Sequence, residues 1–263
     1  MSKFVVRWSM YNQLPSPAII AHRGASANAP ENTLAAFQLA LRQQADGVEM
    51  DAQLTADGHV VVFHDQSVNR TTEGSGRVKD KTLAELRELD AGSHFDVAFK
   101  GEPIPTLEEV FELLGTQIFI NIELSNYASP FNSLPEKVAS LVRRYGMGPR
   151  ILFSSFNPLA LRRIQRLIPG APLGLLAYRG RKGALARGFI GKVLVPYQSL
   201  HTALADVTTE LVQRTHKENR RIYVFNVHQS AEMRKLFRLE VDGIFVDDPL
   251  LARRVLKKSY PIA

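Results

Sequence analysis

The amino-acid sequence predicts an α/β fold: a (β/α)8 TIM barrel that takes in residues 1–263 as one domain. Three observations predict it. Apolar runs of strand length alternate with stretches of helical period along the whole chain. One tight-turn signal makes one of those runs a hairpin partner, leaving eight for a parallel sheet. Eight strands in roughly 250 residues fit a closed barrel better than an open doubly wound sheet. The open sheet is the second reading, and the absence of a G-x-G-x-x-G after the first run weakens its dinucleotide-binding form.

The strand candidates, in order, are 18–20, 47–54, 59–64, 117–124, 151–156, 173–178, 192–197, 221–227 and 242–247. Ala56-Asp57-Gly58 joins the second and third, and Asp-Gly between β-rich runs signals an antiparallel hairpin. The first helix is expected to start at Asn28-Ala29-Pro30-Glu31, which offers a capping residue, a proline in the first turn and an acid three positions on. Leu34, Phe37 and Leu41 form its apolar stripe. Further amphipathic stretches lie at 82–89, 106–114, 133–145, 157–167, 205–218, 229–238 and 249–258. Residues of about 65–105 break the rhythm and read as a small insertion on one barrel face after the hairpin strand, using a second hairpin at Gly74–Gly76.

Composition sets outer bounds. With 45% hydrophobic and 22% charged residues the chain is an ordinary globular mixture, which excludes disorder and collagen-like classes. Without cysteine there is no disulfide, thiolate ligand or cysteine nucleophile. The net charge of +7 attracts phosphates, nucleic acid and anionic lipid without choosing among them. No apolar run approaches the roughly 20 residues of a membrane span. Arg7 breaks the N-terminal apolar run, and no small-residue cleavage site follows, so a soluble cytoplasmic protein is expected.

Active sites of barrels lie at the C-terminal ends of the strands, so polar residues interrupting apolar runs there carry the chemistry. Glu49 and Asp51 are two apart and share one face of a strand. Two such carboxylates repel unless a proton or cation separates them. Glu123 interrupts another apolar strand near the same mouth, and three convergent carboxylates without sulfur suit a hard cation, Mg²⁺ or Ca²⁺. A salt-bridged pair beneath the helices is the plainer alternative for the first two. His22 and His64 each follow a short apolar run and suit a general acid–base pair. Arg23 adds a fork for phosphate, and Gly24 a close backbone approach to a ligand. The helix start at 28–31 would add backbone N–H groups to an anion site. Together these point to phosphate-ester chemistry.

With these residues in place, the sequence resembles the glycerophosphodiester phosphodiesterase family. The resemblance rests on AHRGASANAPENTLAAF (21–37), DGVEMDAQLTADGHVVVFHDQSVNRTTEGSGRV (46–78), TLAELRELDAG (82–92), IPTLEEVFELL (104–114), FINIEL (119–124) and VDGIFVDDP (241–249). It implies a (β/α)8 barrel and metal-dependent hydrolysis of glycerophosphodiesters to sn-glycerol 3-phosphate and an alcohol. It further implies Glu49, Asp51 and Glu123 as ligands of one divalent cation, His22 and His64 as the acid–base pair, and Arg23 as a phosphate contact. The implied route runs through a cyclic phosphate: one histidine takes the glycerol 2-hydroxyl proton, the other protonates the leaving alkoxide, and water then opens the ring. His22 is favoured as first base, although the sequence does not separate the two.

The chain departs from the family pattern at three places. Ser125 stands where a lysine is usual, with Arg179 or Lys182 as possible replacements. Phe225 replaces a tryptophan in the late strand and is expected to form an apolar wall against substrate. His228 replaces an asparagine, either against substrate or as a plain loop residue. The departures leave two other readings open, a lysophospholipase D with the same chemistry and a barrel that binds phosphodiesters without cleaving them. The stretch 178–192, rich in cations and glycines, is expected either to touch anionic headgroups or to be a solvated loop. No module for nucleic acid is present, and the oligomeric state is not encoded in any motif. Phe4 and Trp8 are expected to cap the barrel bottom or hang free.

Overall fold

The computed structural model describes residues 9–127 and 129–259, so Phe4 and Trp8 lie outside the described residues. Among the described residues the strands are β1 (Ala18–His22), β2 (Gly47–Leu54), β3 (Val60–Val62), β4 (Phe119–Leu124), β5 (Ile151–Ser155), β6 (Leu173–Ala177), β7 (Ser199–Ala203), β8 (Arg221–Phe225) and β9 (Gly243–Val246). The helices are α1 (Ser9–Gln13), α2 (Leu34–Arg42), α3 (Leu83–Arg87), α4 (Leu107–Leu114), α5 (Leu134–Arg144), α6 (Pro158–Leu167), α7 (Ala184–Arg187), α8 (Phe189–Leu194), α9 (Thr209–Lys217), α10 (Ser230–Arg238) and α11 (Pro249–Ser259). Eight strands are parallel and close on themselves, with β1 bonded to β2 on one side and β9 on the other. This is a (β/α)8 barrel. β3 alone is antiparallel, paired to β2 from Ala52↔Val62 to Leu54↔Val60, as the Asp-Gly turn predicts.

Buried β-branched and aromatic residues on both faces hold the strands in the core, and the helices begin at well-defined caps. Thr82 and Thr106 form reciprocal capping boxes with Glu85 and Glu109, and caps of this kind are worth about 1 kcal/mol each. Inside the barrel the character changes along each strand. Ile20, Phe119, Leu152, Tyr223 and Phe245 form an apolar floor sealed by Tyr11 and Leu14. Two residues further along, on the same inward faces, come His22, Asn121, Ser154 and Phe225. The interior thus runs from a dry plug to a polar mouth.

Four expectations are corrected. The strand expected at 192–197 is instead α8 and its exit, and the barrel strand is Ser199–Ala203. β7 turns Ser199 and His201 inward rather than apolar side chains, so it lacks the apolar run that marks a buried strand. The first helix begins not at Asn28 but at Thr33, whose hydroxyl accepts from the Ala36 N–H (3.3 Å). Asn32 has φ +57°, a left-handed conformation that ends any helix reaching it from 28. No helix N-terminus therefore stands at 28–31 to bind an anion. Gly24 packs tightly against α2: its φ is +84°, and a Cβ there would lie 2.7 Å from the Ala36 backbone and Cβ. At Gly74–Gly76 the chain turns without forming strands. A single Ser67↔Arg77 bridge closes the loop, flanked by bonds from Val68 N–H to Gly76 and from Val78 N–H to Gln66 (both 3.0 Å). This stretch has its own small core of Phe63, Val68, Val78, Leu86 and Ile104.

Candidate active site

β2 and β4 are neighbours in register, with Asp51 beside Glu123 and Glu49 beside Asn121. Because all four side chains point inward, each of Glu49, Asp51 and Glu123 brings one oxygen within 4.8 Å of the other two. Glu49 and Asp51 are buried, and Glu123 is half-buried. Burial raises the proton affinity of Glu49 well above the ordinary range, and the charges of Asp51 and Glu123 add to the shift. Burial and then Asp51 do the same to Glu123. Such a cluster is unfavourable without a compensating cation. Arg23 compensates in part: its Nε lies 3.5 Å from Asp51 Oδ2 and its backbone N–H donates to Glu49 Oε2 (3.0 Å). Hard oxygen donors alone, with the unpartnered buried Asn121 Oδ1 beside them in the same cavity, make this a candidate divalent-cation site.

Both histidines carry a carboxylate on Nδ1. His22 Nδ1 donates to Asp247 Oδ1 (2.8 Å), and His64 Nδ1 donates to Asp65 Oδ1 (2.6 Å). An ionised carboxylate can only accept, so each ring is fixed with its Nε2 left for other chemistry. The carboxylates are themselves held. Arg70 donates to both oxygens of Asp65 (2.7 and 3.2 Å) and to both of Glu31 (2.8 and 2.7 Å), and Glu31 accepts from Arg23 (2.9 Å). The hydrogen bonds of Arg70, helped by His64, hold Asp65 at about 2. Burial works against Glu31, yet Arg70 and Arg23 keep it at about 2 as well. Asp247 is likewise lowered: burial opposes ionisation, but the hydrogen bond from His22 and the nearby His228 outweigh it.

His22, Arg23, Glu49, Asp51, Glu123, His64 and Phe225 all line one cavity of about 180 Å³ at the C-terminal end of the barrel. Arg23 sits at φ +57°, a conformation that costs a non-glycine residue about 1–3 kcal/mol and concentrates at functional sites. Asn32 holds it there: the Asn32 N–H donates to the Arg23 carbonyl (2.9 Å) and its Nδ2 to Asp51 Oδ2 (2.9 Å).

Other expected residues fall outside the cavity. Ser125 lies behind it, its hydroxyl 3.4 Å from Asp51 Oδ1 and 3.3 Å from the Tyr127 hydroxyl, while Tyr127 donates to Glu123. Arg179 and Lys182 are exposed and do not line the cavity, so neither replaces the missing lysine. His228 lies 3.0 Å from Asp247 Oδ2, the carboxylate that orients His22. Sequence reasoning missed Asp247, Asn32, Glu31, Arg70 and His201. Asp247 directly follows β9, so the rule that found His22 would have found it too. His201 escaped together with β7: it is a fully buried imidazole on the cavity floor, pushed down to about 3 by burial and therefore neutral. Phe156, also missed, stacks on Tyr178 (4.3 Å) and meets Tyr127 and Phe225 edge-on, forming an aromatic wall.

Comparison with known proteins agrees with this geometry. Residues 22–251 match the model of the glycerophosphoryl diester phosphodiesterase family. The chain belongs to that family. A glycerophosphodiester phosphodiesterase of Caldanaerobacter subterraneus is 40% identical over 92% of this chain and 98% of its own length. A phosphodiesterase of Oleispira antarctica, solved with its product sn-glycerol-3-phosphate, superposes with a TM-score of 0.85 at 30% identity, covering 94% of this chain and 99% of its own. A glycerophosphodiester phosphodiesterase of Agrobacterium tumefaciens gives 0.79 at 32% identity over 90% and 99%. Among the described residues no helix is long and apolar enough to cross a membrane.

Proposed function

We propose that this protein hydrolyses glycerophosphodiesters to sn-glycerol 3-phosphate and an alcohol with the help of a divalent cation. The observation that carries this reading is the pair of carboxylate-oriented imidazoles around three carboxylates in one cavity. Glu49, Asp51 and Glu123 would hold the cation, Mg²⁺ or Ca²⁺, which would supply Lewis-acid stabilisation of phosphate charge. Arg23, the cationic side chain of the cavity lining, binds a phosphate oxygen. His22 Nε2 takes the proton of the glycerol 2-hydroxyl as that oxygen attacks phosphorus. His64 gives its Nε2 proton to the leaving alkoxide, and a five-membered cyclic phosphate results. Water then attacks phosphorus, His64 takes its proton, and His22 returns a proton to the 2-oxygen, restoring both rings. The side-chain exposures support this division: His64 is 40% exposed and His22 25%, which favours His64 as the partner of the departing alcohol.

The aromatic wall favours one refinement, a glycerol moiety that carries an acyl chain, as in a lysophospholipid. The test is incubation with glycerophosphocholine, glycerophosphoethanolamine and lysophosphatidylcholine, each with Mg²⁺, with Ca²⁺ and with chelator. Chelator-sensitive release of glycerol 3-phosphate is expected from the first two. Choline release from the lysolipid alone would replace this reading with the lysophospholipase D one. Binding without turnover of any would sink both.

A further inference from the structure

We propose that the lobe between β6 and β7 is a docking surface for an anionic lipid bilayer. Helix α8 packs with its glycine inward: a Cβ on Gly191 would lie 2.9 Å from the Leu175 side chain of β6, and Val195 follows it into the core. The opposite face is therefore turned to solvent, and it is apolar. Phe189 is 76% exposed, Val193 59%, Ile190 46% and Leu194 42%, with Leu185 at 61% one turn earlier. On an ordinary barrel helix these positions carry charged or polar residues. A contiguous apolar face of this kind marks an interaction site.

Charge identifies the occupant. Between Lys137 and Ala205 the chain has twelve Lys and Arg and no Asp or Glu, so the remaining residues hold 21 Lys and Arg against 26 Asp and Glu. The positive net charge of the protein thus arises from this one stretch, and the rest is net acidic. Within it, Arg187 and Lys192 are used internally, paired with Asp206 and Glu218. Arg179, Arg181 and Lys182 are exposed and belong to none of the ion pairs of the described residues. Arg162 sets a further charge at the edge of the patch, bonded to the carbonyls of Leu194 and Val193. Apolar side chains ringed by free cations suit lipid chains beneath anionic headgroups. A second copy of the chain would bring the same cations against each other. A nucleic acid would leave most of this apolar face without a partner.

The lobe leaves the barrel at the C-terminal end of β6, the end at which the cavity opens. Tyr178, half-exposed at its start, stacks on Phe156 of the cavity wall (4.3 Å). A bilayer seated on the lobe would therefore lie beside the mouth. The test is co-sedimentation with vesicles of equimolar phosphatidylglycerol and phosphatidylcholine, against phosphatidylcholine alone, for the full chain, Phe189→Ser/Val193→Ser and Arg179→Ser/Lys182→Ser. The parent chain should bind the anionic vesicles and release with salt. Each double variant should bind roughly tenfold more weakly, with unchanged melting temperature and unchanged turnover of water-soluble glycerophosphocholine. Absence of binding by the parent chain, or equal binding by the variants, would overturn the proposal. So would a dimer in ultracentrifugation that Phe189→Ser/Val193→Ser dissolves while vesicle binding persists. Vesicle binding needs no catalysis, so an inactive protein would leave this result readable.

Discussion

The mouth of the barrel has two unlike sides. From β1 to β4, with the loop after β3, it is a lattice of charge: Glu49, Asp51 and Glu123 in the middle, Arg23 against them, and Arg70 clamping Glu31 and Asp65 at the rim. From β5 to β8 it is aromatic and neutral, with Phe156, Tyr178, Phe225 and the uncharged His201. The charged side is over-determined, since nearly every functional group there has a second group fixing its orientation. The aromatic side is held by packing alone, which tolerates exchange. On the proposed mechanism a rigid charged half would fix where protons and phosphate go, whereas an adaptable apolar half would decide which substrate fits. Substitutions on the first side should therefore lower kcat, and substitutions on the second should raise KM.

The strongest way to break this contrast is to remove an imidazole. His22→Ala and His64→Ala should each lower kcat by roughly 10²–10⁴, with the melting temperature little changed because both rings are partly exposed at a cavity wall. A drop confined to KM would mean that the two rings bind rather than transfer protons. Next in size is Arg70→Lys. A lysine cannot grip both Asp65 and Glu31 in fork geometry, so His64 loses its fixed orientation, and kcat should fall roughly 10–100-fold, the scale of an outer-shell partner. Metal affinity, measured by calorimetry, should stay as it was, since Arg70 does not touch the three-carboxylate cluster.

How much of this contrast is legible in the sequence depends on which side is read. On the charged side, polar residues interrupt apolar strands, and the interruption is visible: His22, Glu49, Asp51, Glu123 and His64 all stand out in this way. Asp247 obeys the same rule. Arg70 and Glu31 cannot be read so, because they act across the fold: Arg70 meets Glu31 only after the loop following β3 packs back over the start of α2. Asn32 was hidden by a helix start that its left-handed backbone forbids. On the neutral side the rule fails in reverse. β7 sends Ser199 and His201 inward, while α8 next to it turns Val193 and Leu194 outward. Apolar periodicity therefore selected the wrong segment as strand, because it cannot tell a buried face from an exposed apolar one.

The carboxylate cluster offers a smaller test through pH. Glu49 and Glu123 have folded-state proton affinities raised above the unfolded value of 4.5 by burial and by the charge of Asp51. Groups raised in this way favour the fold below pH 4.5 and lose that contribution as pH rises through their folded values. From about pH 5 to about pH 8 this loss lowers the melting temperature of the metal-free protein, whereas His201, held neutral by burial at about 3, works the other way up to its unfolded value of 6.5 with or without metal, and so drops out of the gap between the two forms. Glu31 and Asp65 work in the opposite sense, but only as pH falls towards about 2, so they stay outside that window. Added Mg²⁺ or Ca²⁺ should restore the lost melting temperature, and the gap between metal-bound and metal-free protein should widen with pH, by on the order of 2–4 °C per kcal/mol for a chain of this size. Differential scanning calorimetry reads this directly. A gap that narrows with pH would place the cation elsewhere.

The aromatic side should yield least. Phe225→Ala removes a ring that lines the cavity and meets Phe156 edge-on, but it leaves every hydrogen bond of the charged side in place. Aromatic pairing of this kind is worth about 0.5–1.5 kcal/mol beyond area burial, so KM for glycerophosphocholine should rise only a few-fold, with kcat within about twofold of the parent. Phe225→Trp keeps a ring against Phe156 with a larger face, and it should change the ranking of substrates rather than the rate of the best one. The discriminating measurement is the ratio of kcat/KM for glycerophosphocholine and lysophosphatidylcholine in the two variants. If alanine moves kcat as far as KM for both substrates, the aromatic wall is part of the machinery that orients the reacting phosphate, and the division of labour between the two sides of the mouth fails.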